Sequence, residues 1–307
     1  MTHYDIIGDV HGHAEELKEL LSMLGYRQCG YGFRHDKRQV IFVGDFIDRG
    51  PEIAKVIEIA RATVEDGYGH AVMGNHEFNA IAFHTRKPGS HGFFRERSVK
   101  NQDQHQETLN QLSSLQMQDA LAWFKTLPVA LELEGLRVVH AAWQPNDIGV
   151  IETSLATLGR FTTDFLKIAC SQGTQLHQAI ENVLKGPEMR LPNGKSFQDK
   201  DGHVRFDVRV RWYADPWADR EPEKMKFREY AFGETDHLPD DLVPENPAGR
   251  IVPYSAVDPF VFFGHYWLQG KPDRLAPNVA CVDYSVAKNG KLCAYQWSPG
   301  ETTLCKD

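Results

Sequence analysis

Asp9, His11, Asp45, Asn75, His140 and His265 each stand at the end of a short apolar run. The runs are Ile6-Ile7-Gly8-Asp9-Val10-His11-Gly12, Phe42-Val43-Gly44-Asp45-Phe46-Ile47-Asp48-Arg49-Gly50, Val72-Met73-Gly74-Asn75-His76-Glu77, Val138-Val139-His140 and Phe262-Phe263-Gly264-His265. Carboxylate, amide oxygen and imidazole suit a pair of divalent ions. Held roughly 3.5–4 Å apart, such ions clamp a phosphoryl group, neutralise its oxygens and activate a bridging water at neutral pH. One carboxylate must bridge the pair, and Asp45, following the buried-type run Val40 to Val43, is the candidate. Asp9 and His11 alternate with Val10, so at strand spacing both side chains point the same way and hold one ion from one side. Asn75, His140 and His265 remain for the second. A donor set without thiolate suits Mn, Fe or Zn better than it suits a Cys-type structural zinc.

The first three blocks, in this order, resemble the calcineurin-like metallophosphoesterases, and within them the phosphoprotein phosphatase branch with its bacterial serine/threonine phosphatases and diadenosine tetraphosphatases. The resemblance implies an α/β fold, a four-layer α/β/β/α sandwich with an inserted helical and loop lid. It implies two divalent ions, Mn first with Fe, Zn and Mg as alternatives, and hydrolysis by activated hydroxide without a phosphoenzyme. Carried over residue by residue, it places Asp9, His11 and bridging Asp45 on one ion, and Asn75, His140 and His265 with Asp45 on the other. His76 then resembles the general acid, supported by Asp48, since a carboxylate beside imidazole raises its pKa and keeps a proton available. Arg49 resembles the phosphate clamp, a task for a planar, permanently charged fork. A second phosphate-binding arginine is implied near Arg211-Trp212-Tyr213-Ala214-Asp215-Pro216. Arg220 and Arg228 are both in range, and Tyr230-Ala231-Phe232-Gly233 favours Arg228.

The later blocks depart from the family pattern. Ala141-Ala142-Trp143 follows His140 where glycine is usual, suggesting a bulkier wall at the mouth, and Tyr266-Trp267 follows His265 where many relatives place another histidine. Asp48 argues against the symmetrical diadenosine tetraphosphatases, which commonly have alanine there. Taken singly, a Gly-Asp-x-His-Gly is often only a strand-to-helix turn; three strict motifs in order are not.

Composition narrows the partners. A net charge of −8 without a dense Lys/Arg run excludes long nucleic acid as a partner. No stretch reaches the roughly 18–20 apolar residues that span a bilayer, and no signal-like segment opens the chain, so a cytoplasmic enzyme is expected. Five scattered cysteines argue for reduced thiols. The acidic balance and an aromatic-rich insertion favour a phosphomonoester substrate, a phosphorylated peptide or a small phosphoester, over a diadenosine polyphosphate. A catalytically dead binding scaffold is the remote alternative, and the oligomeric state is open.

The positioning elements follow from periodicity. Strands are predicted over 4–8, 40–44 and 71–73, and helices over 13–24, from Pro51 to about 66, and over about 106–126. A hairpin of Val129 to Leu133 and Leu136 to His140 turns at Glu134-Gly135. Phe83 to Asp103, with Arg86, Lys87, Arg95, Arg97 and Lys100, reads as a solvated basic loop. The chain is read as one domain, 1–307, with an insertion about 146–259 carrying helices near 153–158 and 163–184. Trp212, Tyr213 and Trp217 there are more often packing than a stacking platform. Three last strands, near 260–263, 279–283 and 292–296, are expected to complete a second sheet.

Overall fold

The computed structural model describes residues 2–198, 204–214, 230–232, 238 and 251–304. The first half alternates strand and helix: β1 (His3–Ile7), α1 (Ala14–Met23), β2 (Arg38–Phe42), α2 (Ile53–Glu65), β3 (Gly69–Ala71) and α3 (Asn75–His84). Two further helices follow, α4 (Val99–Gln111) and α5 (Ser114–Phe124), and then the hairpin β4 (Ala130–Leu133) and β5 (Leu136–Val139). Helices α6 (Pro145–Leu158), α7 (Thr163–Ala169) and α8 (Gln175–Lys185) precede β6 (Phe260–Phe263), β7 (Arg274–Ala276), β8 (Val279–Cys281), β9 (Ala294–Ser298) and β10 (Glu301–Leu304).

Two five-stranded sheets result, ordered β10-β9-β1-β2-β3 and β7-β8-β6-β5-β4. Side-chain alternation sends each sheet's residues two ways. Tyr4, Ile6, Ile41, Val138, Phe260, Phe262, Tyr295 and Trp297 form the core shared by the two sheets. Their neighbours Ile7, Val40, Phe42, Val139, Val261 and Phe263 belong instead to the large core that includes the buried faces of the helices. This is the α/β/β/α sandwich. β1, β2 and β3 run parallel, as do β5, β6 and β8, so the site-bearing loops leave their strands at carboxyl ends, where such sheets build sites.

Four expectations are corrected. The helix over 106–126 is two helices, because Ser113 caps the second with its hydroxyl and Gln116 bonds back to Ser113, a capping box that cannot lie inside a helix. The helix over 163–184 is likewise broken, with Gly173 at φ +84° and Thr174 capping α8. The last strand does not join the second sheet: β9 pairs antiparallel with β1, Ile6 opposite Tyr295. The basic segment is partly structured, since α3 runs to His84 and α4 starts at Val99. Trp212, Tyr213 and Phe232 pack around Phe263 with ring centroids 5.2–6.4 Å away, so the described insertion aromatics are core. Trp217 and Arg228 lie outside the described residues. Among those described, no helix is long and apolar enough to cross a membrane.

Candidate metal centre

The loops after β1 and β2 are bonded together. The N–H groups of Val10 and His11 donate to the Asp45 carbonyl at 3.2 and 2.8 Å, and those of Gly12 and Gly50 donate to Phe46 and His11 at 2.9 and 2.8 Å. Glu77, fully buried at the start of α3, ties in the third loop. Its carboxylate accepts from the N–H of Asp45, Phe46 and Gly74 at 2.9, 2.9 and 3.0 Å. The fourth and fifth blocks close the ring, Gly264 N–H donating to the His140 carbonyl at 2.8 Å and His265 N–H to Asp9 Oδ2 at 3.0 Å. Among the described residues, six of the ten non-glycine residues with positive φ are here: His11, Asp45, Asp48, Arg49, His265 and Trp267. Such conformations cost about 1–3 kcal/mol each and persist where surrounding bonds over-determine them.

Around Asp45 the side chains converge. His11 Nε2, His140 Nε2 and His76 Nε2 stand 3.5, 3.4 and 3.9 Å from Asp45 Oδ2. Asn75 Oδ1 faces His140 Nε2 at 3.0 Å and His265 Nδ1 at 2.8 Å. Two groups of three have donor atoms within 4.8 Å of one another, His11 with Asp45 and His76, and Asp45 with His140 and His265. Asp9, expected beside His11, is not in the first group, yet its Oδ1 is buried and unpartnered, as are His11 Nε2 and His265 Nε2.

The donor set fits cations. His11 and His140 each donate Nδ1–H to a backbone carbonyl, Ile47 and Val43, both at 2.8 Å, because a carbonyl can only accept. That fixes the tautomer and leaves Nε2 lone pairs aimed at carboxylate and amide oxygens. Acceptors facing acceptors in a buried site call for a positive charge between them. Burial, then Asp283 and Asp45, push the Asp9 carboxyl well up, and burial with Asp45 pushes Glu77 up to about 7, while the His140 imidazole, which burial would lower, is raised by Asp45. Burial also holds the His11 imidazole down at about 3, ready to ligate without losing a proton.

Beside the cluster, His76 Nδ1 meets Asp48 Oδ2 at 2.5 Å. Burial alone would lower the His76 pKa, but the Asp45 and Asp48 carboxylates overcome it and raise it. Burial likewise works against an ionised Asp48, and hydrogen bonds from His105 and His76 outweigh it, holding the carboxyl below its ordinary range. Arg49 is exposed at the rim, its guanidinium carbon 4.4 Å from the Trp267 ring centroid, and Lys288 Nζ lies 3.8 Å from the same centroid. Trp267, not Trp143, is therefore the aromatic wall of the mouth, since Ala141, Ala142 and Trp143 are buried and the two alanine N–H groups donate to the Val183 carbonyl of α8.

The calcineurin-like phosphoesterase profile matches residues 3–164, more than half of the 307-residue chain. The chain belongs to the calcineurin-like phosphoesterase family. An asymmetrical bis(5'-nucleosyl)-tetraphosphatase PrpE of Oceanobacillus iheyensis is 48% identical over 24% of this chain and 29% of its own length. The Halalkalibacterium halodurans protein of that name is 34% identical over 48% of this chain and 59% of its own. These matches thus span less than two thirds of those relatives. A symmetrical bis(5'-nucleosyl)-tetraphosphatase of Wigglesworthia glossinidia brevipalpis is 22% identical over 97% of this chain and 96% of its own length. A cold-active protein tyrosine phosphatase structure superposes with a TM-score of 0.50 at 15% identity, covering 96% of this chain and 75% of that one, a likeness of fold.

Glu77, His105, Thr108 and Trp267 were not singled out by sequence reasoning. Glu77 had a signal, its place three residues after Gly74 at a helix start. The two α4 residues had none, because they sit on a polar helix without an apolar stripe.

Proposed function

We propose that this chain is a hydrolase of phosphoric esters and anhydrides working through a dinuclear metal centre, Mn being the first choice. The reading is carried by one observation: carboxylate, imidazole and amide atoms converge from five loops on Asp45, with buried acceptors otherwise unpartnered. Asp9, His11 and Asp45 would hold one ion, and Asp45, Asn75, His140 and His265 the other. When bound, such ions supply Lewis-acid charge and activate the attacking water. Arg49, exposed above the cluster, binds and orients the phosphoryl oxygens. His76, with Nδ1 on Asp48 and Nε2 turned to the cluster, delivers a proton to the leaving oxygen. Arg228 stays the proposed second phosphate ligand.

For the substrate, the tetraphosphatase names of the relatives and the cations Arg49 and Lys288 on Trp267 favour a small nucleoside polyphosphate. The second reading, a phosphomonoester or phosphopeptide, is favoured by the net charge of −8. Turnover of diadenosine tetraphosphate, phosphotyrosine and phosphoserine peptides and p-nitrophenyl phosphate under one set of conditions ranks them. A higher kcat/KM on the dinucleotide supports the first reading, and a higher value on the peptides replaces it by the second. If Mn-loaded protein turns over none of them, the hydrolase reading falls.

A further inference from the structure

Helix α4 buries only His105 and Thr108. An inward face normally carries an apolar stripe; this one carries His105, Thr108 and Gln111, spaced at three residues. All three meet the loop that bears Asp48 and Arg49. Thr108 Oγ1 accepts from the Asp48 N–H at 2.9 Å and donates to Asp48 Oδ1 at 2.5 Å. His105 Nδ1–H donates to that same Oδ1 at 2.8 Å. Gln111 bonds both ways, its Oε1 accepting from Ile53 N–H at 2.8 Å and its Nε2 donating to the Gly50 carbonyl at 2.9 Å. On the far side, His105 Nε2 stands 3.1 Å from His84 Nε2, so the ring is held from both ends.

The division of labour on Asp48 is complete. Oδ1 is occupied by α4, so only Oδ2 is left for His76, and the left-handed backbone of Asp48 and Arg49, φ 67° and 68°, is pinned by the Thr108 and Gln111 bonds. We propose that Thr108 and His105 are positioning residues of this enzyme, holding the Asp48 carboxylate so that Oδ2 orients the His76 ring toward the leaving group. The inference rests on His76 being the acid proposed above. The competing account is that these bonds merely fasten a polar helix to the body.

Thr108→Val keeps the shape and removes the hydroxyl, and Thr108→Ser restores it. Each is compared in the full-length, Mn-loaded chain, with and without His76→Asn, on phenyl phosphate, whose leaving group needs a proton, and p-nitrophenyl phosphate, whose leaving group does not. The expected result is an about tenfold or greater loss of kcat on phenyl phosphate in Thr108→Val, a loss under about threefold on p-nitrophenyl phosphate, unchanged KM, and recovery in Thr108→Ser. In the His76→Asn background Thr108→Val should cost nothing further, because residues acting through one partner are not additive. His105→Asn, which keeps a donor near the Nδ1 position, should retain more kcat on phenyl phosphate than His105→Ala. In the metal-free chain, where no paramagnetic ion broadens it, the downfield proton resonance of His76 Nδ1–H should move in Thr108→Val and return in Thr108→Ser. Equal losses with and without His76, or an unmoved resonance, overturn the proposal. If His76→Asn alone loses equally on both esters, the acid assignment itself falls.

Discussion

Asp45 illustrates how much one side chain is asked to do. Its Oδ2 lies within 4 Å of three imidazoles, and its Oδ1 accepts the His76 N–H at 3.0 Å. Asp45→Asn should therefore cost more activity and bound metal than loss of either proposed terminal ligand, His11 or His265, a difference of roughly tenfold or more that metal analysis and kcat measurements would reveal. Glu77 makes a different demand. Its buried carboxylate serves three N–H donors, so Glu77→Gln, which replaces an acceptor by an NH₂ group, should destabilise the fold by about 3 kcal/mol in urea denaturation. A midpoint unchanged from wild type would mean that the three loops are held by something else. The residue types that converge on Asp45 were readable because metal chemistry admits few of them; Thr108 and His105 were not, because a hydrogen bond to a distant loop leaves no trace in local spacing.

At the scale of elements, the β-α-β-α-β start was legible within a residue or two, since short apolar runs alternate there with helical periodicity and each switch is marked by glycine or proline. The missed helix breaks had signals, Ser113 with Gln116 and Gly173 with Thr174, which the reading of each segment as one helix passed over. The return of β9 to β1 had none, because strand pairing across the whole chain is tertiary. Close approach explains one glycine. A methyl group on Gly264 would collide with Asp9 Oδ1, a buried oxygen without a hydrogen-bond partner. Gly264→Ala should displace the β6 loop, lower metal content and cut activity at least tenfold while leaving helix content by circular dichroism unchanged; full metal loading would contradict the placement of Asp9 at the site.

For the whole molecule, the carboxylates Asp9, Asp45, Asp48, Glu77 and Asp283 are buried around one end of the sandwich, and no Lys or Arg is among the described buried residues. Cations binding there stabilise the folded state by mass action, about 2.7 kcal/mol at a hundredfold excess over Kd. Chelation should accordingly lower Tm by roughly 5 °C or more. We propose a single domain with 146–259 built into it, for which calorimetry should show one transition; two would place the segment apart. The central claim is met most directly by titrating metal-free protein with Mn and following bound metal and ester hydrolysis together. Activity that appears only as the second equivalent per chain binds, and binding that is lost in Asp45→Asn, is the predicted result. Activity saturating at one equivalent, or persisting without metal, would contradict the dinuclear centre.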